Sequence, residues 1–199
     1  MTPPVGPRYT VGGRNRPSVT QMEGLVCKPR PMPGRAEFVL PAVDVALLSR
    51  LAGALAAAIR PGDVVLLVGD LGAGKTTFTK HVAGALGVVE PVTSPTFTIA
   101  HTYQAGPQAP VRSLMHLDAY RLGGADDLDA VGLFDGLDEG AAAVIEWGDI
   151  VADAFDEPLT VNFAFVDEET RSVTCSAPPD SSWSGRIRSI SAEVGGPRC

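Results

Sequence analysis

Apolar residues fall into a few short blocks whose spacing changes from element to element along the chain. Glu37 to Leu40 reads as a short opening strand. Val43, Leu47, Leu51, Leu55 and Ile59 then recur at four-residue steps, with Ala46, Leu48 and Ala52 beside them, which is one face of a helix. Pro61-Gly62-Asp63 stops that helix and turns the chain into Val64-Val65-Leu66-Leu67-Val68, an unbroken apolar run of the length and β-branched content of a buried strand. A helix-compatible stretch, Thr76 to Leu86, follows. Two alternating segments, Thr98 to Tyr103 and Val111 to Leu117, flank Gly106-Pro107-Gln108-Ala109-Pro110, which predicts an antiparallel hairpin.

The acidic stretch around Asp126, Asp127 and Asp129 predicts a short helix or turn. Ala141 to Ile145 reads as a second buried strand, ending in Glu146-Trp147. Leu159 to Val166 and Arg171 to Ser176 resemble a closing hairpin around Asp167-Glu168-Glu169, and Trp183 and Ile187, four residues apart, suggest one last helical turn. Helical and buried-strand patterns that alternate in this way predict an α/β domain over residues 36–188. Residues 1–35 are read as a disordered Arg/Pro/Gly leader, with Met22 and Met32 as alternative starts, and 189–199 as a flexible tail.

The most informative segment joins the first buried strand to its helix. Gly69 to Thr76 reads G-D-L-G-A-G-K-T, the form G-x-x-x-x-G-K-[ST]. Glycines there let backbone N–H groups converge on phosphate oxygens at a helix N-terminus, where the dipole also favours negative charge. Gly69, Gly72, Ala73, Gly74, Lys75, Thr76 and Thr77 are therefore the expected nucleotide contacts. Lys75 would reach the β- and γ-phosphates, and the Thr76 hydroxyl would ligate Mg²⁺. The chain has only three lysines, Lys28, Lys75 and Lys80, so a lysine at this position of an arginine-rich sequence points to a need for a compact ammonium.

A nucleotide triphosphatase also needs a carboxylate near the metal and a group that positions water. Glu146, at the end of the second buried strand, is the expected partner of Thr76 on the metal. Asp118, closing the strand Val111–Leu117, is either a site group, orienting water or sitting in the outer metal shell, or a cap for Tyr120. His116 is read as a structural histidine, and Trp147 as a packing residue. The hydroxyls of Thr93, Ser94 and Thr96 make a γ-phosphate-sensing loop chemically feasible, the alternative being a capped turn.

Charge narrows the partners. Residues 1–35 hold six basic side chains and one acid, so a total of −7 leaves −12 on residues 36–199. So acidic a body is a poor surface for a polyphosphate chain. No apolar run approaches the roughly 20 residues of a membrane span. The three cysteines, Cys27, Cys175 and Cys199, show neither disulfide-framework nor metal spacing, and a reducing cytoplasm is the expected compartment. No Asn-Lys-x-Asp base-reading motif and no arginine-rich lid insert is present, which favours ATP over GTP and disfavours a metabolite kinase. A small P-loop kinase, a guanine-nucleotide switch and a nucleotide-dependent adaptor remain open alternatives from the residues alone.

Four pieces in this order, Gly-Asp-Leu-Gly-Ala-Gly-Lys-Thr-Thr-Phe at 69–78, Ser-Pro-Thr-Phe at 94–97, His-Leu-Asp-Ala-Tyr-Arg-Leu at 116–122 and Glu-Trp at 146–147, resemble the TsaE (YjeE) family, small bacterial ATPases of tRNA threonylcarbamoyladenosine synthesis. The resemblance implies a three-layer P-loop NTPase domain, its central sheet mostly parallel with antiparallel strands added and helices on both faces. It implies ATP and Mg²⁺ as cofactors, with TsaB and TsaD as partners, TsaD transferring the threonylcarbamoyl group to tRNA while the ATPase drives or resets the cycle. By the same analogy Thr76 and Glu146 hold magnesium, Lys75 and Asp118 support hydrolysis, and Ser94 to Thr96 lie in the nucleotide-sensing loop. Turnover by the lone chain is expected to be slow, because no arginine lies in or just after the phosphate loop.

Overall fold

The computed structural model describes residues 36–94, 99–122 and 126–196. The leader read over 1–35 and the position of Thr96 lie outside them. Among the described residues, β1 (Ala36–Val43), β2 (Val64–Val68), β3 (Ala100–Gln104), β4 (Ser113–Asp118), β5 (Ala141–Glu146), β6 (Leu159–Phe165) and β7 (Arg171–Ala177) form one sheet in the order β1-β7-β6-β2-β5-β4-β3. The middle four, β6-β2-β5-β4, run parallel. β7 pairs antiparallel with both β6 and β1, and β3 antiparallel with β4. Parallel pairing is thus confined to the centre, and antiparallel pairing closes both sides.

The apolar run of β2 explains its central place. Val65 and Leu67 enter one core, with side chains from α1 (Val45–Ala58), α2 (Lys75–Ala85) and α5 (Trp183–Glu193). Val64 and Leu66 point the other way, into a second core with Met115, Leu117, Leu128 of α3 (Asp126–Ala130) and Leu133 of α4 (Leu133–Asp138). A strand covered on both faces has no solvent side to mark with polar residues, so its sequence does not alternate. Helices therefore lie against both faces of the sheet.

Local signals set the helix limits. Asp44 caps α1, its Oδ1 accepting from the Leu47 N–H at 2.7 Å, which satisfies one of the donors left open at a helix start. Of the predicted α1 face, Leu48, Leu51, Ala52 and Leu55 are buried, whereas Leu47 is half-buried and Ala46 exposed because they lie off the face turned to the sheet, and Val43 and Ile59 fall just outside the helix. Strand limits differ from the sequence reading by one to three residues: β1 runs on to Val43, and the hairpin strands start at Ala100 and Ser113. The single turn read at Trp183 and Ile187 is a three-turn helix of 11 residues, so the limit drawn at 188 falls inside α5, and residues 189–193 are helical rather than a tail.

A buried ion pair anchors that helix. Arg186 donates to both carboxylate oxygens of Asp63, to the Ala58 carbonyl at the end of α1, and to the carbonyl and hydroxyl of Ser182. Its guanidinium also stacks 3.7 Å from the centroid of the Trp183 ring. Among the described residues no helix is long and apolar enough to cross a membrane.

Candidate nucleotide and metal site

The site forms where β2, β4 and β5 end on the same edge of the sheet, as expected of an α/β sheet that binds ligand beyond the carboxyl ends of its strands. Gly69 leaves β2 with φ +145°, and a Cβ there would lie 2.5 Å from the Phe163 carbonyl oxygen of the neighbouring β6. Only glycine lets the loop start so close to backbone. Gly74, at φ +109°, opens α2 without a side-chain cap, so among the described residues the first-turn N–H groups face the loop's mouth with no side chain bound to them. This is an anion cradle built from main chain and helix dipole.

Lys75 turns back over the loop. Its Nζ donates to the carbonyls of Gly69 at 2.5 Å and Asp70 at 3.0 Å, and stands 3.8 Å from the centroid of the Trp147 ring. The side chain is only 5% exposed. Burial pushes its ammonium below the ordinary lysine range, while Glu146, Asp118, Asp70 and Asp149 pull it back up. Trp147 reaches this place because its own backbone is left-handed, at φ 56°, and because Gly148 presses on Leu66, which it would meet at 2.5 Å if it carried a Cβ.

Strand alternation places the acids. Leu114 faces the α2 side of the sheet, so His116 and Asp118 do too; on β5, Ala142 and Val144 put Glu146 on the same side. Asp118 and Glu146 are register partners across β4 and β5. The Thr76 hydroxyl, on the first turn of α2, lies 2.7 and 2.9 Å from the two oxygens of Glu146. Thus two residues 70 positions apart in the chain, picked as metal ligands, touch directly. The third contact to this carboxylate comes from His116, whose Nε2 is 2.9 Å from Glu146 Oε1 while its ring is wholly buried.

Asp118 serves as a cap and also lines the cleft. Its Oδ1 accepts from the Tyr120 N–H at 3.1 Å, closing a 3-10 turn over Ala119–Arg121. Burial raises its carboxyl above the ordinary value of 3.8; the Tyr120 N–H opposes this and the nearby Glu146 adds to it. Leu71 to Thr77, Ser94, Asp118, Tyr120, Arg121, Glu146 and Trp147 together line a cleft of about 490 Å³. Of the other hydroxyls read as a sensing loop, Thr93 is tied by its N–H to the Tyr103 hydroxyl at 3.4 Å, and Thr96 lies outside the described residues.

Two residues gain a context in the structure that their sequence positions do not show. Trp147, read as packing, forms the cleft wall under Lys75, and its signal was a bulky aromatic directly after the strand-end acid. His116, read as structural, bonds to Glu146, and its signal was its parity with Asp118 on β4. Tyr120, 69% exposed and 5.3 Å from Trp147 between ring centroids, had no signal beyond its place after Asp118.

The donor set suits a hard, small cation. A hydroxyl and a carboxylate are oxygen ligands, and Mg²⁺ is usually held by one or two protein oxygens with phosphate and water supplying the rest. Among the described residues no cluster of three or more His, Cys, Asp or Glu side chains offers a closed metal cage.

Similarity to known proteins follows the same residues. The family model for "Threonylcarbamoyl adenosine biosynthesis protein TsaE" matches residues 43–173, which include the loop, Asp118 and Glu146. The TsaE protein of Bacillus subtilis (strain 168) is 38% identical over 123 residues, covering 61% of this chain and 74% of that one. That of Streptomyces coelicolor is 46% identical over 96 residues, covering 48% and 63%. That of Mycobacterium tuberculosis (strain H37Rv) is 38% identical over 142 residues, covering 66% and 81%. A crystal structure of Bacillus subtilis YdiB superimposes with a TM-score of 0.58 at 30% identity, over 81% of this chain and 94% of that one. With the matched segment running from the end of β1 into β7 and enclosing the described cleft, the chain belongs to the TsaE family.

Proposed function

We propose that the chain is a magnesium-dependent ATPase of the P-loop NTPase fold, acting in tRNA threonylcarbamoyladenosine synthesis. In this reading it couples ATP binding and hydrolysis to the threonylcarbamoyl transfer cycle of TsaB and TsaD, in the cytoplasm, and meets tRNA only through that complex. The relatives carry the biosynthetic role in their names. The observation that carries the ATPase reading is the Thr76–Glu146 contact, 2.7 Å at the mouth of the phosphate loop.

Each side chain has a task that its surroundings support. The main-chain N–H groups from Gly72 to Thr77 bind the phosphates, since the N-cap residue Gly74 has no side chain to cap α2. Lys75 swings from the Gly69 and Asp70 carbonyls to phosphate oxygens, exchanging two neutral acceptors for charged ones. Thr76 and Glu146 hold Mg²⁺, which when bound neutralises charge on the β- and γ-phosphates. Asp118 orients the attacking water; its raised carboxyl keeps it closer to a useful base than a solvated aspartate is. Tyr120 and Trp147 wall the cleft and keep bulk water from Lys75.

The described part of the cleft includes one arginine, Arg121, on its rim, and none within the loop itself. Slow hydrolysis by the chain alone and stimulation by TsaB and TsaD follow. The test is an ATPase assay on the purified chain with and without both partners, combined with their co-purification. Stimulation in the complex is expected, and tens of turnovers per second by the lone chain would overturn the coupling.

A further inference from the structure

His116 is a wholly buried imidazole that the proposed reaction does not use. Among the described residues its polar contact is with Glu146 Oε1, at 2.9 Å, and its other ring nitrogen, Nδ1, is buried with no hydrogen-bond partner. An imidazole kept only for packing would be expected to satisfy both nitrogens, or to be exchanged for an apolar side chain. Among the described residues this one leaves one nitrogen unmet and makes one bond, to the carboxylate that meets Thr76.

Register explains how the contact arises. His116 stands beside Val144 in the β4–β5 ladder, and Glu146 is the next residue of β5 on the same face, so the imidazole lies under the Glu146 side chain. A carboxylate oxygen can only accept, so the bond requires the proton on Nε2. Glu146 Oε1 then accepts from Nε2–H while both its oxygens lie within reach of the Thr76 hydroxyl. One donor is on a sheet strand and the other on α2, so the carboxylate is fixed from two separate elements.

We propose that His116 is a positioning residue: its Nε2–H holds the Glu146 carboxylate against Thr76, and this sets the affinity of the site for a divalent cation. The inference rests on the ATPase reading for the identity of the cation, and on this chain's own geometry for the contact. Outer partners of metal ligands act in this way, and their loss typically costs about 10–100-fold in metal affinity.

The test compares His116→Met, close in volume but without an N–H donor, with His116→Gln, which keeps a donor at similar reach. Mg²⁺ is titrated at fixed fluorescent ADP, and ADP affinity is measured separately in EDTA. His116→Met is expected to raise the half-saturating Mg²⁺ concentration about 10-fold or more. ADP affinity in EDTA is expected to stay unchanged, and His116→Gln to recover most of the loss. A Met variant with the parent's Mg²⁺ dependence would overturn the proposal, as would a folded Gln variant as impaired as Met.

A second readout needs no nucleotide and covers a Met variant that fails to fold. Long-range ¹H–¹⁵N spectra of the parent should place the His116 proton on Nε2, with a resonance that moves in Glu146→Gln. A proton on Nδ1, or a resonance indifferent to Glu146→Gln, would overturn the assignment. If the parent bound no nucleotide at all, the ATPase reading would fall while this second readout still decided the His116–Glu146 contact.

Discussion

Arg186→Ala is the most demanding test of how the fold is held. The side chain makes five hydrogen bonds, two to Asp63, one to Ala58 and two to Ser182, joining α5 to the turn between α1 and β2. Arg186 is 8% exposed and Asp63 is 9% exposed, so solvent cannot replace the lost partner. Removing one member of a buried pair typically costs about 3–5 kcal/mol, because the other charge stays buried and unpaired. For a domain of this size that is roughly 6–20 °C in Tm. The Arg60 N–H, 2.7 Å from Asp63 Oδ2, still holds one oxygen and favours the lower half of that range.

Asp63→Asn/Arg186→Met removes both charges and should lose less than Arg186→Ala alone, since neither partner is then stranded. Urea unfolding of the parent, Asp63→Asn, Arg186→Met and the double gives the coupling directly. A double variant that loses the sum of the two singles would refute the reasoning, as would an Arg186→Ala loss below about 1 kcal/mol, the scale of an exposed ion pair. Asp63 precedes β2 and the phosphate loop follows it, so folded Arg186 variants should bind nucleotide as the parent does.

Other outcomes follow from individual side chains. Asp118 has a carboxyl raised by burial, so the native state binds its proton more tightly than the unfolded chain does. Its contribution to stability therefore falls as pH rises from about 3.8 through the raised value, and the penalty is complete above it. Asp118→Asn, which can still accept from the Tyr120 N–H, should melt higher than the parent at pH 7, match it below pH 3.8, and lose partner-stimulated hydrolysis; an equal shift at both pH values would contradict the burial argument. Cys175 sits at 3% exposure in the β7 core with its thiol pushed up to about 12. Peptide mapping should find it unlabelled by iodoacetamide at pH 8 in the native protein and labelled after denaturation, and native labelling at the rate of a free thiol would place it outside the core.

Much of the fold could be read where one element's own pattern decides it. The β2 run, the glycine loop and the α1 stripe each carry their signal within about a dozen residues, and all three lie where the sequence places them. The order of strands could not be read, because it depends on which apolar faces meet, and neighbours such as β2 and β6 lie far apart in the chain. The Asp63–Arg186 pair was missed for the same reason: an aspartate in a Pro-Gly-Asp turn looks like turn chemistry, and an arginine on a short helix looks like solvent surface. α5 itself was under-read because Ser, Gly and Arg dilute its apolar stripe to Trp183, Ile187 and Ile190.

That Thr76, Glu146 and Asp118 meet in one cleft is legible in the sequence, because strand-end position and the loop pattern are local signals. Which of Asp118's two roles applied was not, since both need the same spacing, and the structure places the residue so that it caps Tyr120 and faces the cleft at once. His116 is buried and hydrogen-bonded as a structural histidine is expected to be, but its partner, Glu146, lies 30 residues later and the sequence does not name it.

The central claim is that Thr76 and Glu146 share a cation at the mouth of a nucleotide-filled loop, and calorimetric titration of a non-hydrolysable ATP analogue tests it most directly. With and without Mg²⁺, the parent should bind the analogue, and bind it at least about 10-fold more tightly with the metal, an increment that Glu146→Gln abolishes while metal-free affinity persists. A parent with no affinity for the analogue, or a Glu146→Gln variant that keeps the full Mg²⁺ increment, would contradict it.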